Sequence, residues 1–164
     1  MKVYVVDSNF FIQAHRITYP LDVAISFWDR IRDLANRGLI ISIDKVKNEL
    51  YQNDDELKHW CEEYLPEDFF KSSEEAIDEY VKVVTWTMSK NEHFLQRAVD
   101  EFLDADEADA WIIAYSLKTN SIITTYEKSQ PARRNKIKIP EPCEDLGVAY
   151  VDTMDMFRQL GVQF

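Results

Sequence analysis

Four carboxylates, Asp7, Glu49, Asp109 and Glu127, stand at positions along the chain from which they could work together. Asp7 follows the β-branched and aromatic run KVYVV at 2–6, and Glu127 follows SIITT at 121–125 after one tyrosine. Both therefore sit at the carboxyl end of a candidate buried strand. Glu49 lies at the edge of a helical stripe made by Val46 and Leu50, and Asp109 shares a helix face with Ile112, Ile113 and Ser116. A carboxylate on an apolar face demands an explanation, because burying it unpaired is costly. In an open parallel sheet, ligands bind outside the carboxyl ends of the strands, where Asp7 and Glu127 fall and where the helices of Glu49 and Asp109 can border the same crevice. Four converging carboxylates repel one another and raise their own pKa values unless a cation neutralises them. Hard oxygen donors without a His or Cys set favour Mg²⁺ or Mn²⁺ over zinc. The matching reaction is phosphodiester hydrolysis, in which the metal lowers the pKa of an attacking water and steadies charge on the leaving oxygen.

Taken singly, these acids have ordinary explanations: a turn residue, a solvated helix acid, an early-helix charge and a loop acid. Their ordered occurrence on suitable elements is what points to a metal site.

The elements that must position them are read from periodicity and punctuation. Helical patterns alternate with short apolar runs bounded by turn residues, which predicts an α/β layered fold. Strands are expected at 2–6, 39–42, 121–125 and 147–151. A helix over 22–37 carries Ile25, Trp28, Ile31 and Ala35 as its stripe, with Asp22 as cap and Gly38 closing it. Further helices are expected at 44–51, at 54–65 opened by Asp54, and at 73–89 opened by Ser72 with Glu75 in a capping box. Their Trp60, Tyr64, Tyr80, Val84 and Trp86 read as packing residues. The segment 91–103 is amphipathic through Phe94, Leu95, Ala98, Val99 and Phe102. Asp104 as cap and Glu107 three residues later start the next helix, placing Asp109 near its second turn. Residues 128–143 read as a long polar loop, and a short helix is expected around 154–160.

With 164 residues, 46% of them hydrophobic and 13% aromatic, the chain can bury one substantial core and is read as a single domain over 1–164. Its 3 Gly and 5 Pro leave little scope for long flexible linkers. No apolar run approaches the roughly 18 to 20 residues that span a bilayer, and MKVYVVDSNF lacks the pattern of an export signal. A cytoplasmic protein with no membrane partner is expected. Cys61 and Cys143 lie in unlike contexts without metal spacing and read as structural thiols. A net charge of −11 disfavours loose electrostatic attachment to nucleic acid, which needs clustered Lys and Arg.

The strings VVDSNFF at 5–11, KNEL at 47–50, EADAWIIAYS at 107–116 and ITTYE at 123–127 resemble the four acidic blocks of the PIN-domain ribonucleases, which include the VapC-like toxins. Each block is weak alone, but all four stand in the right order across nearly the whole chain. FFIQAHR and KIPEPC further resemble a PIN-like subgroup classed with the toxins of toxin–antitoxin pairs. The resemblance implies a single three-layer α/β/α domain with a central, mainly parallel sheet. It implies a metal-dependent endoribonuclease, the toxin of a type II pair, that leaves a 5′-phosphate and a 3′-hydroxyl. By position it assigns catalysis and Mg²⁺ or Mn²⁺ binding to Asp7, Glu49, Asp109 and Glu127, with Asn9 and Thr125 supporting the metal shell. The partners it implies are an RNA substrate, a cognate antitoxin protein and a second copy in a homodimer. One departure is Glu127, where the wider family usually has Asp, so that the side chain, one methylene longer, reaches the metal through water or acts only in its outer shell.

Around this set, Asp106 lies one turn before Asp109 and is a supporting candidate, although acids at helix starts often only complement the dipole. His15 and Arg16 follow the first block and are candidates for a scissile phosphate, against the plainer reading of structural or exposed side chains. Arg133, Arg134 and Lys136, with Lys138, form the best basic stretch for phosphate contacts, against that of a solvated loop. His59 and His93 read as surface residues, and Tyr19 and Tyr126 as aromatics that could stack on bases. A phosphatase of the haloacid dehalogenase type would need Asp two residues after Asp7, where this chain has Asn9. The competing function from another class is a catalytically silent PIN-like scaffold that binds protein.

Overall fold

The β-branched run before Asp7 forms β1 (Tyr4–Val6), all of it buried, in a computed structural model that describes residues 2–164. Beside it lies β2 (Ile40–Ile43), also wholly buried, paired in parallel with Tyr4 opposite Ile40. On the other side of β1 lies β4 (Ile122–Thr124), again parallel, with Val6 opposite Thr124. Two short strands complete the sheet: β3 (Phe70–Lys71) outside β2 and β5 (Tyr150–Val151) outside β4. The order is β3-β2-β1-β4-β5 and every pairing is parallel. The expected mainly parallel sheet is thus wholly parallel, with β3 as an addition. FK is too short to show a period, and Phe70 owes its strand conformation to the neighbouring β2.

Parallel strands need crossovers, and helices fill them. The chain order includes α1 (Ser8–Gln13), a π-helical turn (Ala14–Thr18), α2 (Ile25–Asn36), α3 (Asp44–Leu50), α4 (Glu56–Tyr64) and a 3₁₀ turn (Ser73–Ala76). There follow α5 (Ile77–Ser89), α6 (Gln96–Phe102), α7 (Asp109–Thr119), α8 (Pro140–Leu146) and α9 (Thr153–Leu160). From β1 the chain steps outward to β2 and β3, then crosses back to β4 and β5 on the other side. Right-handed crossovers place the helices of these two halves on opposite faces. The contacts agree: α2 and α3 pack on β2, whereas α7 packs on β4, α5 and α8. The result is the expected three-layer α/β/α arrangement. Its topological switch point lies between β1 and β4, the place where such sheets open a crevice at their carboxyl ends.

Several helix boundaries differ from expectation for local reasons. Asp22 sits in the turn that follows Pro20, so α2 begins at Ile25, which is 61% exposed, and the buried face is Phe27, Trp28, Ile31, Leu34 and Ala35. Asp55, not Asp54, caps α4 by accepting from the Lys58 backbone N–H at 2.9 Å, while Asp54 meets His59. Ser72 makes no cap; Asp44 reaches across from α3 to accept the Ser73 N–H at 3.2 Å, and a 3₁₀ turn precedes α5. Asp104 closes a tight turn with the Asp106 N–H, which delays α7 so that Asp109 is its first residue instead of lying in its second turn. Residues 140–143, expected as the end of the loop, open α8 (Pro140–Leu146): Pro140 has the fixed φ suited to a first helical position, and Gly147 closes the helix at φ 76°.

One hydrophobic core runs through the sheet and both helical layers. Phe27 is its aromatic centre, stacked on Tyr19 at 4.2 Å and meeting Trp28, Phe157 and Phe164 edge-on. Cys61 and Cys143 are free and buried, and burial pushes both thiols up, as structural thiols require. Among the described residues no helix is long and apolar enough to cross a membrane.

The α4 cap is directly testable. In urea unfolding, Asp55→Ala is expected to lower stability by about 1 kcal/mol and Asp54→Ala by less than half of that; the reverse order would move the cap back to Asp54.

Candidate functional site

Asp7 ends β1 in the centre of the sheet, where its carboxylate is only 2% exposed. It caps α1 by accepting the Phe10 backbone N–H at 2.9 Å, so the chain's turn from strand to helix fixes its direction. The Thr125 hydroxyl, just past β4, lies near enough to favour its ionised form. Burial nevertheless pushes the Asp7 carboxyl up to about 7; the Phe10 hydrogen bond and the nearby Thr125 hydroxyl oppose that rise, while the charges of Glu127 and Glu49 add to it. Thr125 is itself buried, and its oxygen accepts the Glu127 backbone N–H at 3.2 Å. Thr125 thus stands near the acid after β1 and bonds the backbone of the acid after β4.

Glu127 is half-buried, and its Oε2 is shielded from solvent with no hydrogen-bond partner among the described residues. Burial raises its pKa; Lys138, the Ile139 backbone N–H, Lys136 and Arg133 hold it back. Asp109, at the start of α7, is raised well above the usual carboxylate range, first by burial and then by Glu127, Asp7, Glu49 and Glu107. Glu49, on α3, receives two hydrogen bonds: Ser8 Oγ donates to Oε2 at 2.7 Å and the Ala108 N–H donates to Oε1 at 3.1 Å. The four expected acids therefore lie within each other's electrostatic reach at the carboxyl edge of the sheet. Among the described residues, no three of the His, Cys, Asp and Glu side chains are drawn into a preformed cage for a metal ion.

The supporting candidates divide. Thr125 joins the site, whereas Asn9 and Asp106 are exposed. Sequence reasoning missed Ser8, which stood in view inside the Asp-Ser-Asn triplet, and read Glu107 only as a capping residue. Glu107 bears on Asp109, and its own pKa is raised by desolvation, then by Glu49, Glu101 and Asp104, against Lys136. Asp109 and Glu107 border a recess of 40 Å³, and Glu127 and Thr125 border one of 250 Å³. A larger groove, 460 Å³ between α2 and α4, contains none of the four acids.

His15 and Arg16 lie in the π-helical turn after α1, the first half-buried with Nδ1 unpartnered among the described residues, the second exposed. The basic stretch has internal duties. Arg133 pairs with Glu141 at 3.3 Å, both side chains 12% exposed; Arg134 donates to the His93 carbonyl at 2.7 Å; Lys136 meets Glu101 at 3.5 Å. Tyr19 is stacked on Phe27, and Tyr126 is half-buried with Thr153 and Thr18.

Residues 4–164 match a family model described as "Domain of unknown function (DUF4411)". The chain belongs to the DUF4411 family. No curated protein sequence matches this DUF4411 domain. Among solved structures it is similar to a chain in the crystal structure of VapBC2 from Rickettsia felis bound to a DNA fragment from their promoter, with 11% identity and a TM-score of 0.50. The superposition covers 92% of this chain and 98% of that one. At that identity the likeness concerns the fold, and it is the PIN-like fold implied by the four acidic blocks.

The Asp7 pKa has a consequence for stability. An unfolded Asp titrates near 4, and the folded one near 7, so the native state holds the extra proton between those values. Stability falls wherever the native state binds more protons and pH rises, so the metal-free protein should lose stability from about pH 4 to about pH 7. Asp7→Asn is expected to flatten this slope and to stabilise the metal-free protein at pH 8 by about 2 kcal/mol, read by urea unfolding at pH 5 and pH 8. An unchanged slope would show that the burial of Asp7 is not what sets it.

Proposed function

We propose that this DUF4411 domain is a divalent-metal-dependent endoribonuclease and acts as the toxin of a toxin–antitoxin pair. The observation that carries the reading is the pair of acids, Asp7 and Asp109, held with raised pKa values at the switch point of a parallel sheet. Desolvated acids pressed towards one another are a standing electrostatic cost, which a cation would remove.

The residues fit Mg²⁺ or Mn²⁺. Their donors are hard carboxylate oxygens, and Glu127 Oε2 is buried without a hydrogen-bond partner among the described residues. Mg²⁺ is commonly held by one or two carboxylates with water completing its shell, so a ready-made cage of three acids is not required. Asp7 and Asp109 would hold the ion, with Glu127 and the remaining lone pairs of Glu49 contributing directly or through water. When bound, it would supply the acidity that turns water into a nucleophile at neutral pH and the charge that stabilises the leaving oxygen. The protein's part is positional: the Phe10 N–H holds Asp7, and Thr125, near Asp7, sets the backbone of Glu127. Among the loop cations Lys138 favours the ionised form of Glu127 more than Lys136 or Arg133 does, which makes it a candidate for a substrate phosphate.

The similar solved chain comes from VapBC2 bound to a DNA fragment from their promoter, and that likeness supports a protein antitoxin as the partner of this chain. RNA as substrate, a homodimer and a cytoplasmic location belong to the same reading.

Purified wild-type protein is expected to cleave RNA only with Mg²⁺ or Mn²⁺, and Asp7→Asn or Asp109→Asn to reduce that cleavage by at least about a hundredfold while the fold survives. Mn²⁺ should also raise the wild-type melting temperature, with the rise lost in both variants. Cleavage by the variants equal to wild type would overturn the nuclease reading. Absence of both cleavage and metal-linked stabilisation in wild type would favour the silent scaffold.

A further inference from the structure

The four acids do not approach one another as free side chains. Thr125 bears on Asp7 and accepts the Glu127 backbone N–H at 3.2 Å. On the opposite side of the cluster, Ser8 Oγ donates to Glu49 Oε2 at 2.7 Å, and Glu49 Oε1 accepts the backbone N–H of Ala108 at 3.1 Å. Ser8 is the first residue of α1, immediately after Asp7, and Ala108 immediately precedes Asp109. One carboxylate therefore ties the residue beside one acid to the residue beside another, across 59 residues of sequence between Glu49 and Ala108. The start of α7 has no side-chain cap from its own N-cap residue, Ala108, and Glu49, by accepting the Ala108 N–H, does from a distance what the Glu of a capping box does locally.

We infer that Ser8 is a positioning residue: through Glu49 it sets the start of α7, and with it the placement of Asp109 relative to Asp7. The inference rests on the reading of these acids as a metal site. Without the Ser8 hydroxyl, Glu49 can rotate about its side-chain torsions to meet solvent, because it is only half-buried. Its bond to Ala108 then loosens, and Asp109 loses its fixed approach. A threonine keeps the hydroxyl and should keep the brace.

The test uses the full chain with Ser8→Ala, Ser8→Thr and Asp109→Asn. Amide hydrogen exchange of Ala108 is followed without metal, and the Mn²⁺ dependence of the melting temperature is titrated separately. In Ser8→Ala the Ala108 amide should exchange about tenfold faster, and the Mn²⁺ needed for half-maximal stabilisation should rise about tenfold. With RNA at saturating Mn²⁺, kcat should fall while KM stays within about twofold, since the substrate contacts are untouched. Ser8→Thr should restore all three. If Ser8→Ala matches wild type in Ala108 exchange and Mn²⁺ response while Asp109→Asn has lost its response, the brace is overturned and the metal site stands. If Mn²⁺ leaves wild type unmoved, the metal reading fails, and the metal-free exchange still decides the brace: accelerated exchange reversed by Ser8→Thr supports it, and unchanged exchange overturns it.

Discussion

Asp7 is kept out of water at the end of the middle strand, and much of the architecture around it answers that constraint. A carboxylate that is 2% exposed has to be met by donors, and the structure meets it with the Phe10 N–H of a helix start, with Thr125 close by. The central position of β1 follows from its apolar run, which needs both faces covered. Because β1 is central, with β2 on one side and β4 on the other, the residue that follows it opens at the switch point, and the helices of both halves can bring acids to it.

Hydroxyls and backbone amides do the work of assembly. Carboxylates cannot bond one another while ionised, so an acidic cluster has to be put together through intermediaries that donate. Thr125 bonds the Glu127 backbone beside Asp7, and Ser8 with the Ala108 N–H serves Glu49 and the start of α7. The same logic explains why the cations of the basic loop are occupied elsewhere. Arg133 and Glu141 form a largely buried pair that secures the loop to α8, and Arg134 secures it to the His93 carbonyl.

The layered fold and all four acids are legible in the amino-acid sequence, because strand ends and apolar stripes are local signals and the acids sit on them. Thr125 is legible from its place beside the last acid. Other features need the assembled chain. Asp109 begins α7 only because Asp104 closes a turn first, and two adjacent acids, Asp54 and Asp55, compete for one cap that spacing alone does not award. β3 exists because β2 offers it a ladder. Ser8 acquires its role from Glu49, 41 residues away, and nothing in a serine after an aspartate announces that partner.

The internal pairing of Arg133, Arg134 and Lys136 bears on how any polyanion would reach the crevice. With those cations held at short range and a net charge of −11, the distant field of the molecule repels a phosphate backbone. Salt ordinarily slows the association of a nucleic-acid enzyme with its substrate by screening attraction. Here the screened force is a repulsion, so moderate ionic strength would quicken encounter, and a basic partner resting on this surface would change the sign of the approach altogether.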